Sequence, residues 1–426
     1  METKTAAIEM RNITKRFGPV LANDKVWLNI YRGEILALLG ENGSGKTTLM
    51  NMLSGIYFPD EGEIKIDGKE VVIRSPKDAF DNGIGMIHQH FKLVDVLTAA
   101  ENIVLGLPGK LDLKAASAKI REICDKYGFS VDPAQKIYDM SVSQKQTVEI
   151  VKVLYRGADI LILDEPTAVL TPQETDKLFA VLRNMRNDGK AIVIITHKMH
   201  EVEALSDRVA ILRHGQFIGD MLTAHTNAQE MTNMMVGHAV SLNIERPDPV
   251  DPKPRIEVKG LTVRSVDGIV KLDDVSFTAN SGEILGIAGI SGCGQKELLE
   301  AIAGLQTVES GSISYIEDDG SREELIGKDP LSIAELGVSL SFVPEDRLGM
   351  GLVGNMNLAD NMMLRSFRRG KSIFTDRRSP RALAESVVQE LSVSTPSVDT
   401  PVRRLSGGNV QKVLVGREIA SAPTVL

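Results

Sequence analysis

The chain repeats itself, and no other feature constrains its fold as strongly. RGEILALLGENGSGKTTL at 32–49 returns as SGEILGIAGISGCGQKEL at 281–298, and IEMRNIT at 8–14 returns as IEVKGLT at 256–262. Glycines keep the register, Gly55 answering Gly304 and Gly62 answering Gly311. Further on, ENIVL at 101–105 matches DNMML at 360–364, and MSVSQKQ at 140–146 matches LSGGNVQ at 405–411, so the second copy carries small insertions. Between the copies, RPDPVDPKP at 246–254 has the proline density of an extended, semi-stiff linker. The repeat therefore predicts a first domain at 1–245, a linker at 246–255 and a second domain at 256–426.

Patterning within the first copy predicts strands near 8–13, 26–30 and 35–39, with buried parallel-type strands at 160–163 and 191–195. Helices are expected at 46–54, 114–128, 144–155 and 173–186. The last has a full start signal: Thr171 to cap, Pro172 at the first helical position and Glu174 to close a capping box. Strands alternating with helices indicate an α/β fold. The second copy stops early, because SAPTVL at 421–426 aligns with RGADIL at 156–161. It is expected to be truncated inside a central strand, three residues before the place of Asp164.

Composition narrows the class further. With 42% hydrophobic and 25% charged residues the chain is of the soluble globular type. A net charge of −8 speaks against a nucleic-acid-coating surface. Cys124 and Cys293 are the two cysteines and form no metal-ligand pattern, a usage expected of a reducing cytosol. METKTAAIEM lacks the apolar core of a signal peptide, and no apolar run approaches the roughly 20 residues that cross a bilayer. Any membrane role is expected to run through a partner.

GENGSGKTT at 40–48 fits the phosphate-loop pattern G-x-x-x-x-G-K-[ST] in full, between an apolar strand and a helix, as that motif requires. Its Gly40, Asn42, Gly43, Ser44 and Gly45 would let backbone N–H groups cradle phosphates, and Lys46, Thr47 and Thr48 open the helix whose positive end faces them. Lys46 would meet the β and γ phosphates, and the Thr47 hydroxyl would ligate Mg²⁺. LILDEP at 161–166 ends a buried strand on two carboxylates. Asp164 would hold the Mg²⁺ shell and Glu165 would act as general base; alone, such a pair more often begins a helix. His197, at the end of AIVIIT, is a candidate to stand beside the γ-phosphate, although a lone histidine at a strand end is usually structural. Gln89, after a short apolar strand, could sense the metal or water. Phe17 could stack on adenine or be a core aromatic.

In this order, the loop at 40–48, Gln89, MSVSQ at 140–144, LILDEP and His197 resemble the ATPase domain of ABC transporters. Two such domains, the second with a lysine-less loop, look like the ATP-binding subunit of simple-sugar importers of the ribose, galactose and xylose kind. HQHFKLVDVLTAAENIVLG at 88–106 and EPTAVLTPQE at 165–174 look closest to the nucleoside-importing branch. The resemblance implies tandem P-loop domains, each a RecA-like α/β core with an antiparallel β subdomain and a helical signature subdomain. It implies ATP as substrate with Mg²⁺. The implied partners are two integral-membrane permease subunits and an extracytoplasmic solute-binding lipoprotein, with the chain at the cytoplasmic face and no nucleic acid involved.

In that family, each ATP lies between one domain's phosphate loop and another's signature. The signature of copy one is poor, since Val142 and Ser143 replace glycines after Ser141, whereas copy two keeps Ser406, Gly407 and Gly408. The intact loop is thereby expected to face the good signature, supplied in cis or from a second copy. The other loop keeps Gly289, Gly292 and Gly294 but has Gln295 for the lysine and Lys296 for the hydroxyl. Glu345 stands in the place of Gln89, where its charge would repel phosphates, and Val266 in the place of Phe17. One competent and one degenerate site are expected. The alternative, a soluble tandem ATPase acting on ribosomes or nucleic acid, usually carries two intact loops and, on ribosomes, a long charged helical linker.

Overall fold

The computed structural model describes residues 6–18, 20–88, 91–109, 112–239, 247–265, 268–289, 292–336, 338–344, 346–367 and 375–426. Gln89, Val266 and Glu345 lie outside the described residues. The chain forms two compact units, 1–244 and 245–426.

In the first unit, β1 (Ala6–Phe17) and β2 (Val20–Tyr31) form a long hairpin, joined by β4 (Glu61–Ile66) and β5 (Lys69–Val71) in an antiparallel sheet of order β2-β1-β4-β5. Both hairpin strands outrun their expected lengths because bulges keep the alternation in phase. The register shifts between Met10 and Ile13, where Asn12 takes a left-handed φ of 53°. Ile8, Met10 and Ile13 thereby all stay buried.

A second sheet supplies the core. Its order is β10-β9-β3-β8-β7-β6, built from β3 (Ile35–Leu39), β6 (Ile84–Ile87), β7 (Ile160–Asp164), β8 (Ala191–Ile195), β9 (Arg208–Arg213) and β10 (Gln216–Leu222). The strands run parallel except for β10 against β9. ILALL, ILILD and AIVII are buried at every position, since both faces of the sheet are covered. On one face lie the antiparallel sheet and α1 (Lys46–Leu53), with α2 (Pro76–Asp81) below; on the other, α6 (Pro172–Asn187), α7 (Met199–Leu205) and α8 (Ala228–Val236). Helix α6 starts as its sequence signals, with the Thr171–Glu174 capping box formed.

A helical layer with its own apolar cluster comprises α3 (Ala99–Val104), α4 (Leu113–Tyr127) and α5 (Val142–Tyr155). Helix α5 starts two residues before its expected position, because Ser141 caps it and Gln144 returns to the Ser141 N–H.

The second unit repeats the hairpin sheet as β12-β11-β13-β14, from β11 (Pro254–Arg264), β12 (Val270–Asn280), β13 (Ser310–Ile316) and β14 (Arg322–Glu324). Strand β11 begins at Pro254, inside the segment expected to be linker. Helices follow: α9 (Gln295–Ile302), α10 (Pro330–Glu335), α11 (Leu358–Met363), α12 (Arg378–Glu390) and α13 (Gly407–Ala420). EILGIAG, the counterpart of β3, forms no strand, and Ile284 is 77% exposed. One parallel bridge, Leu340 to Val425, stands where Ile84 pairs with Ile160 in the first unit.

Candidate functional site

Adjacent strands β3, β8 and β7 all end at one edge of the parallel sheet, and the candidate residues follow directly from those ends. After β3 the backbone turns through Gly40, Gly43 and Gly45 at positive φ into α1. Two of these glycines are sterically required. A Cβ on Gly40 would lie 2.2 Å from the Leu212 carbonyl, and one on Gly45 would lie 2.3 Å from that of Ala22. The loop is thus wedged between β9 and β2, while Asn42 and Gly43 remain exposed. Gly45 caps α1 without a side-chain hydrogen bond, which leaves the first-turn N–H groups to an external acceptor.

Lys46 arches back over the loop, its Nζ donating to the carbonyls of Gly40 at 2.8 Å and Glu41 at 3.0 Å. Burial holds its pKa below the usual lysine value, against the attraction of Glu165, Asp164 and Glu41. Thr47 Oγ1 donates to Asp164 Oδ2 at 3.3 Å, bringing a hydroxyl and a carboxylate together from positions 117 apart. Burial pushes the Asp164 carboxyl above the usual range, opposed by the Thr47 hydrogen bond, reinforced by Glu165 and opposed again by Lys46. A hydroxyl and a buried, charge-strained carboxylate are hard oxygen donors, and this pair fits Mg²⁺. Thr48 sits half-buried in the first turn of α1.

Glu165 has a left-handed backbone, φ 50°, and its N–H extends the ladder to the Ile195 carbonyl. Its Oε1 lies 2.8 Å from His197 Nδ1, whereas its buried Oε2 meets no hydrogen-bond partner among the described residues. A buried carboxylate oxygen without a donor is an acceptor in waiting. The His197 ring is mostly exposed, which removes the purely structural alternative of a packed core histidine. Phe17 is likewise not a core aromatic: it is 41% exposed at the end of β1, edge-on to Tyr57 at 5.1 Å.

The two signature segments start their helices differently. At α5, Ser141 and Gln144 satisfy each other's backbone and Val142 is exposed, while Ser143 is half-buried beside Glu174. At α13, Ser406 caps, Gly407 and Gly408 follow without side chains, and Asn409 turns its Nδ2 to Ser406 Oγ at 2.9 Å.

The lysine-less loop keeps its last two glycine turns. Gly292 and Gly294 hold positive φ, and Gln295 Nε2 donates to the carbonyls of Gly289 at 3.4 Å and Ile287 at 3.2 Å. The amide thereby reproduces the Lys46–Gly40 tie without the charge. Lys296 points along α9 toward Glu300 at 3.8 Å, away from the hydroxyl role it replaces. A cavity of about 780 Å³ lies against this loop.

Two features escape sequence reasoning. Asn102 grips Val94 by N–H and carbonyl and Asn361 grips Val353 in the same way; their shared place in ENIVL and DNMML was the available signal. A buried carboxylate, Glu201, joins the segments behind Glu165 and His197. Among the described residues no helix is long and apolar enough to cross a membrane, and no group of His, Cys, Asp and Glu forms a separate metal site.

Comparison with known proteins agrees with this geometry. The family model described as ABC transporter matches residues 23–168 and 272–426. The nucleoside import ATP-binding protein of Lactococcus lactis subsp. cremoris is 44% identical over 98% of this chain and 83% of its own length. The guanosine import ATP-binding protein of Bacillus subtilis is 42% identical over 98% and 82%. The glucose import ATP-binding protein of Haloferax volcanii is 40% identical over 100% and 82%. Matched twice along its length by that model, and with a phosphate loop and a signature in each copy and the carboxylate pair in the first, the chain belongs to the ABC transporter family.

Proposed function

We propose that the chain is the ATP-hydrolysing, energy-coupling subunit of an importer for simple sugars or nucleosides. The observation that carries this reading is the convergence of Lys46, Thr47, Asp164, Glu165 and His197 at the ends of three adjacent parallel strands. Nucleosides are favoured, because relatives that import a nucleoside by name are 44% and 42% identical, whereas those named for glucose or ribose are 40% identical or less.

The phosphate loop binds the triphosphate through its N–H groups and Lys46 neutralises the β and γ phosphates. Thr47 and Asp164, with Gln89 through water, would hold Mg²⁺, which when bound offsets the charge on those phosphates. Glu165, its Oε2 without a donor, takes a proton from the attacking water, and His197 fixes the carboxylate through Oε1. Phe17 offers its exposed ring to adenine. Ser406, Gly407 and Gly408 complete this site, in cis or from a second copy. The loop at 289–296 with Glu345 faces Ser141, Val142 and Ser143 and stays catalytically silent. In this reading the cassettes are 1–245 and 256–426. They dock on two permease subunits at the cytoplasmic face, and an extracytoplasmic binding lipoprotein delivers the solute.

Co-purification with the products of neighbouring genes, followed by ATPase measurement across nucleosides and pentoses, tests the reading. Stimulation by one solute class through a bound permease pair is expected. Isolation without any membrane partner, together with ATPase stimulated by ribosomes or nucleic acid, would overturn it.

A further inference from the structure

We propose that Glu201 and Thr167 form a positioning unit that sets the distance between Glu165 and His197; this rests on the catalytic reading just given. Glu201 lies in α7, four residues past His197, and is 2% exposed. A carboxylate taken so fully from water needs several partners. Its Oε1 accepts from Thr167 Oγ1 at 2.5 Å and lies 3.0 Å from Lys198 Nζ, and its Oε2 accepts from Thr196 Oγ1 at 3.2 Å. Lys198 Nζ closes the network by donating to the Thr167 carbonyl at 3.0 Å and to its hydroxyl at 3.2 Å. The Lys198 N–H donates to Thr196 Oγ1 at 3.1 Å.

Every bond in this network touches a flank of one of the two facing residues. Thr196 and Lys198 bracket His197 on both sides. Thr167 follows Glu165 by two residues, with Pro166 between, whose fixed φ passes the anchor's constraint back to the left-handed Glu165. Thr167 and Thr196 are each about 1% exposed, so water cannot replace the bonds they lose. The network therefore ties together the segments that follow two different strands, β7 and β8, and across its mouth stands the 2.8 Å contact of Glu165 with His197. A base held this way need not reorganise when the water arrives.

The test replaces the hydroxyl without changing the volume. Thr167→Val and Thr167→Ser are compared in the assembled transporter with Mg-ATP, beside Glu201→Gln and Lys46→Ala. Thr167→Val should lower kcat about tenfold or more while KM for ATP stays within error and the thermal midpoint falls by only a few degrees, and Thr167→Ser should restore the rate to within about twofold. Glu201→Gln should lower kcat with KM likewise unchanged. A normal kcat in Thr167→Val, or a parallel loss of KM, kcat and thermal midpoint not rescued by serine, overturns the positioning role. Lys46→Ala separates the two claims. If it is inactive while Thr167→Val turns over normally, only the positioning role falls; if it retains turnover, the catalytic reading falls and takes the inference with it.

Discussion

Replacing Glu165 by glutamine removes the base and almost nothing else. The amide has the length of the carboxylate and keeps the side-chain volume, so the left-handed backbone at φ 50° bears the same strain in both proteins. The group beside His197 Nδ1 stays polar, and the oxygen that meets no partner becomes uncharged. A positioned general base contributes about 10²–10⁴ in rate, which is roughly 3–5.5 kcal/mol of barrier. Glutamine retains hydrogen bonding but cannot take the proton, so hydrolysis should fall by that factor. Binding should not fall, because Glu165 is one of the charges that raise the Asp164 carboxyl, and its neutralisation eases the approach of phosphates. The assay pairs phosphate release from the assembled transporter with retention of radiolabelled ATP after gel filtration. Trapped, unhydrolysed nucleotide at slowed turnover is expected. Phosphate release within about threefold of wild type would refute the reasoning, since no proton acceptor then remains at that position.

Lys46→Ala should abolish turnover, because the buried ammonium is the cation that the loop carbonyls aim into the phosphate cradle; activity near wild type would remove the one-site reading. Gln295→Lys should leave the rate unchanged, since Gln295 already shapes the loop and Glu345 and the MSVSQ signature remain; a doubled ATPase rate would contradict this. Asp164→Asn should raise the thermal midpoint of the nucleotide-free protein at pH 7 while ending activity. Burial holds the native pKa of Asp164 above its unfolded value of about 3.9, so its contribution is full below that value and lost as pH rises through the native one. Each 1 kcal/mol relieved is worth about 2–4 °C in a unit of this size. The gap should close in acid, and a lower midpoint at pH 7 would contradict the assignment.

The candidate site could be proposed from the sequence because its parts are local there: a loop, a strand end with two carboxylates, a strand end with a histidine. Each follows an apolar run whose type is fixed by composition, and ILALL, ILILD and AIVII read as buried strands without help from their neighbours. Glu201 was not legible. A glutamate in a helix is ordinarily solvated, and nothing in MHEVEAL tells that its carboxylate meets Thr167, 34 positions away. The second hairpin strand was read short because Lys25 interrupts the period-two pattern, and a bulge that restores it leaves no composition of its own. EILGIAG fails as a strand for a third reason. It has the residues of β3, but a strand of this kind is made by its two neighbours, and among the described residues none pairs with it.

The placement of β3 also sets an order of events during synthesis. Its partners are Ile192 to Ile195 on one edge and Arg208 to Ile211 on the other, so both ladders close across more than 150 residues. At about 5–20 residues per second, roughly 9–35 s separate the emergence of Leu39 from that of Arg213. Throughout that interval a wholly apolar strand of the candidate site waits beside the ribosome with both edges open. Such an edge invites pairing with another nascent chain. Assembly of the phosphate loop is therefore a late step, and for that window the chain depends on being shielded rather than on being stable.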